Sequence, residues 1–263
     1  MQFGLADKVC LVAAASRGLG RAVAEELAAE GARLIICARR EQAIRETADE
    51  IAERHGVEVI PVAADLATAG AAQRVVDAGV EQFGRIDVLV TNAGGPPAGP
   101  FEGHDDHAWR AAIALNLESV IALIRGVLPG MKERSWGRII NITSIAVKQP
   151  VDNLILSNSV RAAVTGMART LANEVAQHGI TVNNVLPGYT RTERVEELAE
   201  FTAKQTGTSI DEAIAVWERQ IPMRRLGEPR EFAALVAFLA SERASYITGT
   251  SIPVDGGWIR SLL

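Results

Sequence analysis

Seven short apolar runs recur along this chain, each separated from the next by a longer amphipathic stretch. That alternation is the strongest constraint on its fold. The runs cover residues 8–14, 33–38, 57–62, 86–91, 138–143, 180–186 and 251–254. Most are apolar at every position rather than at alternate ones, the pattern of a parallel strand covered on both faces. Gly31, Gly56, Gly84 and Gly179 each follow a helical pattern, where a left-handed C-cap belongs. Repeated strand–helix–strand units with right-handed crossovers predict an α/β fold. The expected form is a three-layer, doubly wound parallel sheet of about seven strands, of Rossmann type.

No linker, repeat or low-complexity tract interrupts the pattern, so residues 1–263 read as a single domain. Only residues 191–226 carry more helical material than a crossover needs, with a capping-box pattern from Ser209 to Glu212. They follow the C-terminal end of a strand, where such sheets bind ligands, and are expected to form a helical lid over a substrate pocket. A plain surface hairpin is the alternative.

Hydrophobic residues make up 48% of the chain, enough for a sizeable core. Lys plus Arg number 27 and Asp plus Glu 32, and the net charge of −5 argues against a nucleic-acid partner. Residues 1–8 lack the pattern of a signal peptide, and apolar runs such as 232–240 are too short to span a bilayer. The expectation is a cytoplasmic protein with no membrane partner. Cys10 and Cys37 read as buried free thiols. The His104-Asp105-Asp106-His107 stretch reads as a loop with a helix N-cap rather than as metal ligands, so no metal is expected.

The first run leads through Ala13-Ala14-Ala15-Ser16-Arg17-Gly18-Leu19-Gly20 into a helix. Glycines at such a junction let backbone N–H groups approach a pyrophosphate, which the positive end of the helix attracts. The second run ends Cys37-Ala38-Arg39-Arg40, with no carboxylate before Glu41. An acid there would grip the 2′-hydroxyl of NAD, whereas Arg39, Arg40 and Arg17 suit a 2′-phosphate. NADP(H) is therefore the preferred cofactor, with NAD(H) second.

These segments resemble the short-chain dehydrogenase/reductase family. The glycine loop is similar to its Thr-Gly-x-x-x-Gly-x-Gly, with Ala13 and Ala14 at the Thr-Gly positions. Asp65-Leu66 resembles the pair that touches adenine, and Thr91-Asn92-Ala93-Gly94 the family's Asn-Asn-Ala-Gly. Pro187-Gly188 with Thr190 and Thr192 resembles the loop facing the nicotinamide. Arg225-Leu226-Gly227-Glu228-Pro229 and Val254-Asp255-Gly256-Gly257 resemble its C-terminal signatures. The resemblance leans towards 3-oxoacyl-acyl-carrier-protein reductases and implies a small carbonyl or alcohol substrate. It also implies a dimer or homotetramer formed through the helices of Asn116 and Ser157. Cofactor contacts are implied at Ala14, Ser16, Arg17, Gly18, Leu19, Gly20, Arg39, Arg40, Asp65, Leu66, Asn92, Ala93, Gly94, Arg161, Pro187, Gly188, Thr190 and Thr192.

By the same resemblance Ser144 holds the substrate oxygen and Asn116 belongs to a proton relay. The family's Tyr-x-x-x-Lys-Ala-Ala-Val aligns with Ser157-Asn158-Ser159-Val160-Arg161-Ala162-Ala163-Val164, so serine and arginine stand where tyrosine and lysine are expected. A phenol titrates near pH 10, within reach of a neighbouring cation, whereas an aliphatic hydroxyl is a far weaker acid. Candidate replacements are Tyr189, Lys148 and a water held by Ser157 and Asn116; Gly95 joins Lys148 and Tyr189 in the expected substrate pocket. The leading expectation is a carbonyl–alcohol oxidoreductase with a modified site. Its rivals are a dinucleotide-binding sensor or partner subunit with little turnover, and an enzyme of this fold that performs elimination or isomerisation.

Overall fold

The computed structural model describes residues 3–262; Met1 and Gln2 of the N-terminal stretch read above, and Leu263, lie outside the described residues. All seven apolar runs form strands: β1 (Val9–Ala13), β2 (Arg33–Ala38), β3 (Val59–Ala63), β4 (Val88–Thr91), β5 (Gly137–Ile142), β6 (Ile180–Pro187) and β7 (Ser251–Val254). They make one parallel sheet in the order β3-β2-β1-β4-β5-β6-β7. The order reverses between β1 and β4, and a crevice opens at the carboxyl ends of strands there.

Helices cover both faces. On one side α1 (Gly18–Ala29), α2 (Glu41–His55) and α9 (Pro229–Ala240) bury Leu27, Ile44 and Phe232 against the sheet. On the other, α3 (Ala71–Phe83), α5 (Ser119–Glu133) and α6 (Ile155–Val175) bury Val75, Leu123 and Val164. Each fully buried side chain of this size contributes about 1.5–3 kcal/mol relative to exposure. Cys10 belongs to the first core and Cys37 to the second, so the two thiols lie on opposite sides of the sheet and both are free. Burial raises the pKa of each, that of Cys37 to about 11.

Between β4 and α5 the chain runs through α4 (Asp106–Ile113) and a single π-helical turn, Ala114–Glu118. Asp105 caps α4 by accepting from the Ala108 N–H at 2.8 Å. The continuous helix 106–133 is long and apolar enough, by length and composition, to cross a membrane, which corrects the sequence expectation. That expectation looked for uninterrupted apolar runs, whereas this helix interleaves them with polar positions. In the fold Val120, Leu123, Ile124, Val127 and Met131 lie buried in the core.

A row of side chains crosses the sheet near its carboxyl edge. The Thr91 hydroxyl donates to Asn141 Oδ1 at 2.8 Å, Asn141 Nδ2 to Asn184 Oδ1 at 3.1 Å, and Asn184 Nδ2 to Ser251 Oγ at 3.1 Å. Each donor faces its acceptor directly in the strand register.

The residues expected to form a lid fold as α7 (Glu193–Thr206) and α8 (Ile210–Gln220), and the capping box at Ser209 and Glu212 is formed in both directions. The pair has its own small core of Val195, Ala199, Ala213 and Trp217, against which Tyr189 and Trp258 pack.

Candidate active site

A cavity of about 800 Å³ lies at the carboxyl ends of the strands, from the β1–α1 loop to α7. Its first end is a backbone cradle. Ala14 and Gly18 adopt left-handed φ values of 50° and 57°, folding the loop so that the N-terminus of α1 opens on the cavity. Arg17 at the N-cap makes no side-chain cap bond, and the first turn of α1 carries no acid. Its free N–H groups and helix dipole suit an anion. Gly20 stands behind the loop and is not among the residues that line the cavity. A Cβ there would lie 2.3 Å from the Ala14 carbonyl oxygen and 2.8 Å from Asn92 Nδ2. Its part is close packing that fixes the cradle.

Arg39 and Arg40 follow β2, are exposed, and line the cavity beside the cradle. The nearest acid in sequence, Glu41, is already paired with Arg45 at 2.8 Å. Ser16, Leu19, Asp65, Leu66, Asn92, Ala93 and Gly94 also line it, as do Pro187, Gly188, Thr190 and Thr192. The cradle, the paired arginines and the absence of a carboxylate at the β2 end together fit a dinucleotide with an additional phosphate.

The other end holds Ser144, Ser157 and Arg161. Ser144 follows β5 and accepts from the Ala146 N–H at 3.1 Å, which orients its hydroxyl at the start of a short turn. Ser157 lies in the first turn of α6, 7% exposed, and Arg161 one turn further along the same face. Arg161 donates to the carbonyls of Ile142 at 2.9 Å and Ala93 at 3.4 Å. Withdrawal from water, then the charge of Arg194, pushes its pKa down to about 10, so it remains a cation at neutral pH.

Asn116 does not reach this cavity. It lies in the π-helical turn beside a small adjoining cavity of about 10 Å³, lined also by Thr143 and Arg161. Asn116 Oδ1 and Thr143 Oγ1 are buried without a protein partner, and a space of that size matches one water. Lys148 is exposed at the end of the turn after Ser144, and Gly95 and Tyr189, but not Lys148, line the large cavity. Lys148 follows the short turn 145–147.

Tyr189 stacks on Trp217 with ring centroids 4.6 Å apart and meets Trp258 edge-on at 6.1 Å. Burial, and then the charge of Asp152, raises its pKa to about 12, which makes the phenol a weaker acid. Its ring forms part of the cavity wall. Tyr189→Phe is expected to leave the pH profile of turnover and kcat unchanged in steady-state assays; a lost limb of that profile would return the phenol to the chemistry.

One residue escaped sequence reasoning. Arg194, in the first turn of α7, lines the cavity and donates to the Pro96 carbonyl at 2.7 Å. It lies so close to Gly95 that a Cβ there would stand 2.7 Å from its Nε.

Comparison with known proteins shows what the chain is similar to. The family model described as enoyl-(acyl carrier protein) reductase matches residues 13–259. The 3-oxoacyl-[acyl-carrier-protein] reductase FabG of Vibrio cholerae is 35% identical over 253 residues, 96% of this chain and 98% of that protein. The NADPH-dependent reductase BacG of Bacillus subtilis is 32% identical over 259 residues, 98% of this chain and 100% of that one. Among solved structures, L-sorbose reductase from Gluconobacter frateurii, complexed with NADPH and L-sorbose, superposes with a TM-score of 0.94 at 34% identity, covering 100% of both chains.

Proposed function

Because the chain belongs to the short-chain dehydrogenase/reductase family, we propose that it is an NADP(H)-dependent oxidoreductase interconverting a small-molecule carbonyl and alcohol through a modified catalytic site. The observation that carries this reading is the single cavity joining the phosphate cradle to Ser144, Ser157 and Arg161.

NADPH, when bound, supplies the hydride. The α1 amides hold its pyrophosphate, Arg39 and Arg40 the 2′-phosphate, and Asp65 with Leu66 the adenine. Asn92, Ala93, Gly94, Pro187, Gly188, Thr190 and Thr192 frame the nicotinamide end, and Arg161 holds the ribose. Ser144 orients the substrate oxygen. The fixed charge of Arg161 favours the negative charge that develops there. Ser157 stands where the family carries its proton-donating tyrosine, and its hydroxyl is too weak an acid to replace the phenol. Ser157 and the Asn116 pocket instead hold a water through which the proton arrives. Helices α7 and α8 act as a lid, and the helices of Asn116 and Ser157 pair two copies of the chain, within a dimer or a homotetramer.

A second reading is favoured by the Ser157/Arg161 pair itself: a dinucleotide-binding sensor with little turnover. Thermal-shift titrations with NADPH and NADH, followed by a carbonyl-reduction screen, separate the two. A ligand raises apparent stability by mass action whether or not it reacts. Stabilisation with turnover supports the reductase, stabilisation without any turnover supports the sensor, and no stabilisation by either dinucleotide defeats both.

Cofactor choice has its own test. Arg39→Asp is expected to weaken NADPH binding by about ten- to a hundredfold, through loss of a charge-assisted pair and gain of a repulsion, and to favour NADH. Fluorescence titration of both dinucleotides measures the ratio; an unchanged ratio removes Arg39 from the 2′-phosphate.

A further inference from the structure

The cavity is lined by two guanidinium groups that hold one of its loops. Arg161 rises from α6 and Arg194 from α7, and they grip the same loop at two points, through the carbonyls of Ala93 and Pro96. Both line the cavity, and they are close enough for the charge of one to disfavour that of the other. Each guanidinium carries five N–H donors. Arg161 gives two to backbone carbonyls, and Arg194 gives one to Pro96 and one to Glu197 at 3.2 Å. Each therefore keeps three.

The carboxylates lining the whole cavity, among the described residues, are Asp65, Glu193 and Glu197. Glu197 stands half-exposed between Arg194 and Arg17, which lies 3.9 Å away on its other side. Exposed pairs of this kind are worth about 0–1 kcal/mol, so Arg194 can trade Glu197 for a better acceptor at little cost. Arg161 has no acidic partner at all among the described residues. Two like charges held together in a partly dry site are unfavourable unless an anion joins them. The position of Arg194 is also built: it leans on Gly95, where any side chain would displace it.

We propose that the substrate is an oxo acid or its hydroxy-acid product, whose carboxylate is gripped by Arg194 while Arg161 supplies fixed positive potential behind it. This rests on the carbonyl–alcohol reading above and narrows it to a charged substrate class.

The test uses acetoacetate and its uncharged methyl ester, titrated calorimetrically into the protein saturated with NADP⁺, where neither ketone can be reduced. Acetoacetate should bind about ten- to a hundredfold more tightly than the ester, the range of one charge-assisted bidentate contact. Arg194→Met should abolish the preference, and Arg194→Lys should keep part of it. The same titration without dinucleotide should retain the preference, because both arginines are held by the chain's own carbonyls. Equal affinity for the two compounds in the unaltered protein, or no heat with either, overturns the proposal even if Arg194→Met fails to fold. A preference that survives in Arg194→Met overturns it too. Acid preference without NADPH-dependent turnover upholds the anion site and sinks the reductase, whereas turnover of the ester with no acid preference does the reverse.

Discussion

Gly20→Ala is expected to weaken NADPH binding by about thirty- to a hundredfold and to lower the melting temperature of the unliganded protein. The added methyl would lie 2.3 Å from the Ala14 carbonyl oxygen, a backbone atom with no room to yield except by shifting the loop. Overpacking of this kind costs about 1–3 kcal/mol. The loop it would shift is already committed, since Ala14 holds a left-handed φ of 50° that a residue with a Cβ adopts reluctantly. The strain therefore falls on the amides that face the pyrophosphate. Isothermal titration with NADPH and a thermal melt measure both effects. Wild-type affinity in a folded Gly20→Ala protein would mean that the cradle tolerates displacement, and the phosphate-binding role of the α1 N-terminus would fail.

The double substitution Ser157→Tyr with Arg161→Lys is expected to raise kcat for carbonyl reduction by about 10²–10⁴-fold, the usual contribution of a positioned general acid. Ser157 lines the cavity, so a ring at that position has open space ahead of it. A lysine four residues on stands on the same helix face and brings the phenol towards neutrality. The pH profile should gain a limb as the phenol titrates. Neither single substitution should match the pair, because tyrosine without lysine keeps a high pKa and lysine without tyrosine has no acid to tune. Stopped-flow reduction of a ketone in the presence of excess NADPH separates chemistry from release. An unchanged hydride-transfer rate in the folded double variant would show that protonation at this position does not limit the reaction.

Much of this was legible in the residues. The strands could be read because their apolar runs are short and are separated by longer amphipathic stretches, several closed by glycine, and all seven lie within two residues of those runs. The ends were less sharp where side chains intervene. The run from residue 86 becomes a strand only at Val88, and the Asp87 carboxylate just before it accepts from the Val9 N–H at 3.0 Å. Ser144, Ser157 and Arg161 could be placed together through the resemblance to the family's motifs, and the spacing of four puts the last two on one helix face. Lys148 could not, since one short turn decides whether the chain points into the cavity or out of it. Arg194 was invisible for a related reason: its role depends on how α7 is rotated against the 93–96 loop. The one local hint, Gly95, gives no sign of which side chain it makes room for. The displacement of Asn116 into its own small cavity likewise follows from a π-helical turn that no periodicity announces.

The row from Thr91 through Asn141 and Asn184 to Ser251 has a mechanical consequence. Each amide gives its hydrogen in one direction and receives in the other, so all the links run the same way across β4, β5, β6 and β7. Sliding any of these strands by one residue would turn its member of the row to the opposite face and strand its neighbours. Within the sheet this acts as a latch on alignment. The ledge from which Ser144 and the Pro187-Gly188 loop project is thereby held as one plate.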